Sequence, residues 1–218
     1  MPPSTSAKTR SGWKKDPQAV KANILQVATE EFAMSGLSGA RINVIADKTN
    51  TSKRMIYYYF ENKETLYLQV LEAAYAEMRR SEAELRLTGL QPCDALRRLV
   101  EFTFDHHREH PDFIRLVMIE NIHHGKYLKQ SAVIRSMNSS AISLLEDICN
   151  RGKADGTFRA DIEPMALHFQ ISALCFYNVA NRSSFSAIFD KSFFSEQGQL
   201  VLRENIVQAV LAGVVGTI

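Results

Sequence analysis

Cysteine is scarce in this 218-residue chain: three residues, at 93, 149 and 175, with no CxxC pair among them. That spacing supports neither a cysteine zinc site nor a disulfide scaffold, so each is read as a small core residue and the expected compartment is a reducing cytoplasm. No run of eighteen apolar residues occurs, which leaves nothing to span a membrane. The opening MPPSTSAKTRSGWKK lacks the apolar segment of a secretory signal. Residues 1–15 read either as a flexible basic arm, with Lys8, Arg10, Lys14 and Lys15 adding nonspecific attraction for a polyanion, or as an ordinary tail. Strand-like alternation never persists for more than a few residues, and neither an internal repeat nor an extended low-complexity segment is found. The expected class is all-α. At 45% apolar residues the chain can bury the cores of one small and one larger helical domain.

Helix punctuation is regular. Asp16-Pro17 pairs an N-cap with proline at the first helical position, where its missing amide costs nothing. That helix is predicted to run to about Ser35 and stop at Gly36. A long helix follows from Lys63 to about Arg86, then a break over Thr88–Pro92 and a helix over roughly 93–109. Pro111 opens another to about His123, with Gly125 behind it. The next covers about 131–152, one restarts at Asp161–Pro164 and continues to about Ser183, and the last spans about Ser195–Ala212.

Residues 41–60, RINVIADKTNTSKRMIYYYF, carry the most information. Ile42, Ile45, Ala46 and Thr49 fall at i, i+3, i+4 and i+7, one buried stripe of a short helix. The turn Thr49-Asn50-Thr51 holds an Asn, which enters the left-handed region more cheaply than most residues. Ser52 then caps a second helix. There Ile56, Tyr59 and Phe60 are expected inward, and Lys53, Arg54, Tyr57 and Tyr58 outward. A phenol can lie against a sugar while its hydroxyl donates to a phosphate. Asn62 can cap the following helix, which places Lys63 at an N-terminus where free amides favour a phosphate. Residues 1–63 carry 10 Lys+Arg against 5 Asp+Glu, whereas the remainder carries 16 against 19. A basic end on a mildly acidic body is the asymmetry of a chain that meets nucleic acid at one end.

Residues 24–71 resemble the DNA-binding domain of the TetR family of bacterial transcriptional regulators. The resemblance is carried by Ile24, Ala28, Phe32 and Gly36, by Ile45-Ala46 and Ser52, and by Ile56-Tyr57-Tyr58-Tyr59-Phe60 closing on Lys63-Glu64 and Leu66. It implies a three-helix helix-turn-helix domain over 16–70 and a helical effector-binding and dimerisation domain over 71–218. It further implies that Arg41, Asn43, Ser52, Lys53, Arg54, Met55, Tyr57, Tyr58 and Lys63 stand at positions the family uses on DNA. Asn50 stands where the family often has Gly, Arg54 where it has Gly or Pro, and Met55 where it has Thr, which leaves the operator sequence open. Lys53, Arg54 and Met55 are the expected base readers: Arg54 suits a guanine edge and Met55 a thymine methyl. Tyr57, Tyr58 and Lys63 are expected to position on phosphates.

The body from about 75 to 185 resembles the family's ligand-binding domain, and residues 110–128, HPDFIRLVMIENIHHGKYL, resemble the branch regulating pyrimidine and nicotinate-type catabolism. Candidate lining residues for a small-molecule effector are Phe102, Phe113, Met118, Phe176 and Tyr177, with Ile122 and Met137 beside them. Arg115, Glu120, Asn121, His123 and Asn178 are candidate orienting groups, although ordinary core packing accounts for each aromatic and Met as well. Met165, Phe169, Ser172, Phe176 and Val179 form one apolar line, and Ile206, Val207, Val210, Leu211, Val214 and Val215 another. A helix pair apolar on more than one side needs two partners, and the family resemblance implies a homodimer through these last two helices. Two reading heads then imply a pseudo-palindromic operator on double-stranded DNA, a repressor released by a small organic effector, and no cofactor.

Two other classes compete. His106-His107-Arg108-Glu109-His110 matches H-x-x-E-H, an inverted zinc-peptidase signature, but Pro111 follows at once and no third-ligand motif accompanies it. An enzyme is not expected and no metal site is assigned, though the letters leave open whether His106, His110, His123 or His124 meets a metal. A helical adaptor that binds protein instead of DNA predicts no salt-sensitive duplex binding.

Overall fold

Asp16 opens the first helix as expected, its carboxylate accepting from the Gln18 amide at 3.0 Å with Pro17 in the first helical position. The computed structural model describes residues 16–189 and 191–216; the basic arm expected at 1–15 lies outside the described residues. Among these are ten α-helices: α1 Pro17–Gly39, α2 Ile42–Lys48, α3 Lys53–Phe60, α4 Lys63–Ala83, α5 Pro92–Glu109, α6 Pro111–Ile122, α7 Ala132–Ala154, α8 Pro164–Ala180, α9 Arg182–Ile188 and α10 Glu196–Val214. The β-structure they contain is a single isolated bridge, Phe158 to Val215. None of these helices is long and apolar enough to cross a membrane.

The first helix breaks at Gly36, whose φ of 65° takes it out of the helical region and suits a residue without a Cβ. A final turn carries the chain on to Gly39. From there α1 to α4 close around Ile24, Ala28, Phe32, Ile45, Ile56, Phe60, Leu66 and Tyr67, all fully buried. Each such side chain contributes roughly 1.5–3 kcal/mol on removal from water. The core does not stop at the small domain, because Leu116 of α6, Tyr127 and Ile134 of α7 join the same cluster.

A second core is formed by α5, α7, α8 and α10, around Leu96, Val100, Phe104, Leu145, Ile148, Ile171 and Val207. Cys149 and Cys175 are buried in it and Cys93 packs at its edge. At the end of α7, Gly152 lies flat under the Phe158 ring, where any Cβ would collide.

Two expectations change. The helix predicted to about Ser183 ends at Ala180, and a separate α9 follows after Asn181. The apolar line on α10 also faces the chain's own core: Ile206, Val207, Val210 and Val214 are all buried there. What α10 turns outward is Leu200 and Val201, each about half exposed.

Candidate nucleic-acid interface and effector cavity

The turn between α2 and α3 is held from inside. The Thr49 hydroxyl donates to the Ile45 carbonyl at 2.7 Å and lies 3.0 Å from the Thr51 hydroxyl. Asn50 takes φ 50°, the left-handed conformation expected of it. The Ser52 hydroxyl accepts from the Met55 amide at 3.1 Å and starts α3. Arg41, at the start of α2, is tied back to α1 through its amide, which donates to Glu31 at 3.1 Å.

With Ile56 and Phe60 anchored in the core, the first turn of α3 presents Lys53, Arg54 and Met55 to solvent. Tyr58 is 78% exposed and packs edge-on against Tyr59 at 5.3 Å. Tyr57, expected outward, is only half-buried, with the Lys53 ammonium over its ring at 5.8 Å. Tyr59, expected inward, is likewise half-buried. Arg41, Asn43 and Ser52 are exposed on the same small domain. Asn62 caps α4 by accepting from the Thr65 amide at 2.7 Å, so Lys63 is the first residue of the helix that follows the ridge. The described part of the chain therefore holds eight of the nine candidate DNA contacts exposed or at a helix start, with Tyr57 the one drawn partly into packing.

A cavity of about 480 Å³ lies between α4, α5, α6, α7 and α8. Its walls include Tyr75, Met78, Arg79 and Glu82 of α4, Thr103 and His107 of α5, Phe113 and Asn121 of α6, Asn138 of α7, and His168, Phe169 and Phe176 of α8. Arg79 and Glu82 form an ion pair at 2.7 Å along the α4 wall. Burial pushes the His107 ring down to about 4, so it is neutral near pH 7. Among the described residues, the Nε of Arg79 and the Nδ1 of His107 are buried without a hydrogen-bond partner.

Of the residues expected at an effector site, Phe113, Asn121 and Phe176 line this cavity. The others do not. Phe102 lies beside His106 at 5.5 Å between ring centres, and Arg115 is exposed, 3.7 Å from Asp112. Met118 packs on the cluster of Met78, Phe113 and Ile114 without reaching the wall. Ile122, His123 and Tyr177 are exposed. Glu120 and Asn178 are buried, but their polar atoms are taken up by Tyr67 and by Gln199. The α4 wall was missed, although Tyr75, Met78, Arg79 and Glu82 recur at helical spacing and put an Arg and a Glu on an otherwise apolar face.

A helix-turn-helix head with a cationic first turn, continuous through one long helix with a cavity-bearing helical body, defines a DNA-binding regulator. The profile for "Bacterial regulatory proteins, tetR family" matches residues 24–70, and that for "Tetracyclin repressor-like, C-terminal domain" matches 92–210. The HTH-type transcriptional repressor NicS of Pseudomonas putida is 38% identical over 165 residues, 76% of this chain and 78% of NicS. The HTH-type transcriptional repressor SCO4008 of Streptomyces coelicolor is 34% identical over 111 residues, 51% of this chain and 54% of that protein. The ketosteroid transcriptional regulator KstR2 of Mycobacterium tuberculosis has the same fold, with a TM-score of 0.68 at 18% identity over 90% of this chain and 95% of that one. The chain belongs to the TetR family and is a transcriptional regulator, not an enzyme.

Proposed function

We propose that two copies of this chain, joined through the outer faces of α8 and α10, hold a pseudo-palindromic operator and release it when a small molecule fills the α4–α8 cavity. The observation that carries this reading is the first turn of α3, where Lys53, Arg54 and Met55 stand free of the core on a helix fixed by Ser52 and Ile56. Residues 16–70 act as the reading head and 71–216 as the sensing and dimerisation body. Lys53, Arg54 and Met55 read base edges, while Arg41, Asn43, Ser52, Tyr57, Tyr58 and Lys63 set register on the backbone. The relatives named as repressors support repression as the sign, and a cytoplasmic site of action follows from a DNA target.

The dimer reading rests on exposed apolar surface. Phe169 is 74% and Tyr177 57% exposed on α8, with Leu174 beside them, and α10 adds Leu200 and Val201. A two-fold axis through that surface sets the two α3 helices to successive major grooves, about 34–36 Å or a multiple apart. The effector reading rests on the cavity's apolar walls and the two unpartnered nitrogens of Arg79 and His107. These suit a small ring-bearing molecule with an acceptor oxygen for Arg79, which agrees with the resemblance of residues 110–128 to regulators of pyrimidine and nicotinate-type catabolism. Effector and operator then oppose each other by the same factor in both directions.

The test is selection of bound sequences from random duplex DNA by the full-length protein, followed by a panel of aromatic and heterocyclic acids and amides screened for release. A two-fold symmetric selected site, with affinity falling steeply as salt rises, is the expected result. Recovery of no preferred duplex at low salt refutes the reading.

A further inference from the structure

The inverted peptidase signature at the end of α5 acquires a partner that its own segment does not contain. His106 and His110, four residues apart, stack at 4.2 Å between ring centres. Glu77 of α4 reaches both: its Oε2 lies 3.1 Å from His106 Nε2 and 3.8 Å from His110 Nε2. One donor atom from each of the three falls within 4.8 Å of the others. The motif's own Glu109 is not part of this group, nor are His123 and His124.

The surroundings orient two of these donors, His110 and Glu77, as metal ligands are usually oriented; the third, His106 Nε2, donates to the Glu77 carboxylate and gives up that proton when a cation takes its place. The Nδ1 of His110 is 3.0 Å from the His106 carbonyl oxygen, which fixes Nδ1 as the protonated nitrogen and leaves Nε2 with a free lone pair. The Ser81 hydroxyl donates to Glu77 Oε1 at 2.9 Å and leaves Oε2 for the histidines. Four-coordinate zinc with bonds of about 2.0–2.1 Å needs donors roughly 3.3 Å apart. Reaching that geometry takes a turn of the His110 ring out of its stack on His106, and that side chain is 44% exposed. Beyond Glu77 and His110 lies a cleft of about 660 Å³ between α1 and α4, an open side from which water can complete the coordination.

We propose that Glu77, His106 and His110 form a binding site for a divalent cation of the zinc class, which ties α4 to the end of α5. Two imidazoles and one carboxylate select zinc and its transition-metal neighbours over magnesium or calcium, which take all-oxygen ligands. Glu109, the general base of the peptidase motif, lines the adjoining cleft but is not one of the three clustered donors. The site abuts the effector cavity: Phe113 lines both that cavity and the cleft, and Met78 and Arg79 follow Glu77 directly on α4. A cation there braces the helix that runs from the DNA-facing Lys63 to the cavity wall.

The experiment uses tag-free full-length protein titrated with Zn²⁺ in competition with a chromophoric chelator, alongside His110→Ala and Glu77→Gln. The expected result is one Zn²⁺ per chain, with affinity lower by at least roughly ten-fold in each variant, the loss that even outer-shell changes produce. Thermal melting of the metal-free proteins checks that both variants fold as the parent does. If a variant melts early, the Co²⁺-loaded parent decides, since ligation through two Nε2 atoms gives two hyperfine-shifted, exchangeable histidine Nδ1–H resonances. Absence of stoichiometric Zn²⁺, parental affinity in either folded variant, or absence of those two resonances overturns the proposal. No readout here involves DNA, so its failure is separate from failure of the operator reading.

Discussion

The Tyr67 hydroxyl donates to Glu120 across 3.1 Å, while the second oxygen of that carboxylate accepts from the amides of Tyr127 and Leu128 at 3.0 and 3.1 Å. One side chain thus fastens α4 to α6 and to the turn that follows it, where the head's core and the body meet. Burial, followed by the neighbouring Glu120, holds the Tyr67 hydroxyl well above its usual range, so it stays a donor at any working pH. Tyr67→Phe removes one of three donors and is expected to cost roughly 1–2 kcal/mol. Glu120→Ala strands a buried hydroxyl, the buried Tyr127 amide and the partly buried Leu128 amide, and about 3 kcal/mol is expected from that. Urea denaturation of the two variants measures both. Equal losses would mean that the backbone amides find other partners and that Glu120 is not the clamp described.

The reading ridge makes a prediction in which two cations behave differently. Arg54→Ala should relax preference at one base position of the selected operator, by about 1–3 kcal/mol for a lost bidentate contact. Lys63→Ala should instead weaken every duplex alike and lower the slope of log affinity against log salt by about one. Binding titrations at several salt concentrations, on the selected operator and on its single-base variants, separate the outcomes. A Lys63→Ala protein with altered base preference would reverse the assigned roles.

The parts of this molecule legible in its letters are those settled by chemistry within a few residues. Ser52, Asn62 and Asp16 cap helices because each has an amide two or three positions ahead. Asn50 and Gly36 break them because the backbone there must enter positive φ. Asn181 is a weaker stop signal than Gly or Pro, and α9 begins directly after it, so the break between the two helices leaves no gap of its own in the letters. Direction was hidden as well. An apolar line on α10 reads the same whether it faces its own core, as Val207 does, or another subunit. Contacts distant in sequence were the hardest: Glu120 meets Tyr67 from 53 positions away, and Glu77 meets His106 from 29. Nothing in a spacing pattern marks a buried carboxylate as a clamp instead of a ligand-orienting group.

A reciprocal amide pair joins α8 to α10. Asn178 donates to Gln199 at 2.8 Å, and Gln199 donates back at 3.1 Å and to the Phe193 carbonyl at 3.2 Å. Removing one member leaves the other buried without its partner, whereas replacing both by apolar residues removes the deficit. Gln199→Leu alone is therefore expected to destabilise by roughly 2–3 kcal/mol. The double variant Asn178→Leu/Gln199→Leu should recover at least about 1 kcal/mol of that, as a double-mutant cycle in denaturant would record. Strict additivity of the two single changes would refute the coupling.

Leu200 and Val201 of α10 are each about half exposed, and Phe169 on α8 is more exposed still. Scattered exposed apolar side chains are ordinary, but a patch shared by two adjacent helices needs covering. If a second copy covers it, a carboxylate placed there must be desolvated on association, while in a free monomer it remains in water. Val201→Glu should therefore leave the melting of the dissociated chain nearly unchanged, within about 0.5 kcal/mol for a surface substitution, and abolish the dimer at micromolar concentration. Operator affinity should fall further than head contacts alone explain, because each head then binds without its neighbour's effective concentration, a loss of about 10²-fold or more. Analytical ultracentrifugation and duplex titration on the same samples check the two halves together. A Val201→Glu protein that sediments as a dimer and grips its operator normally would place the subunit contact on another face.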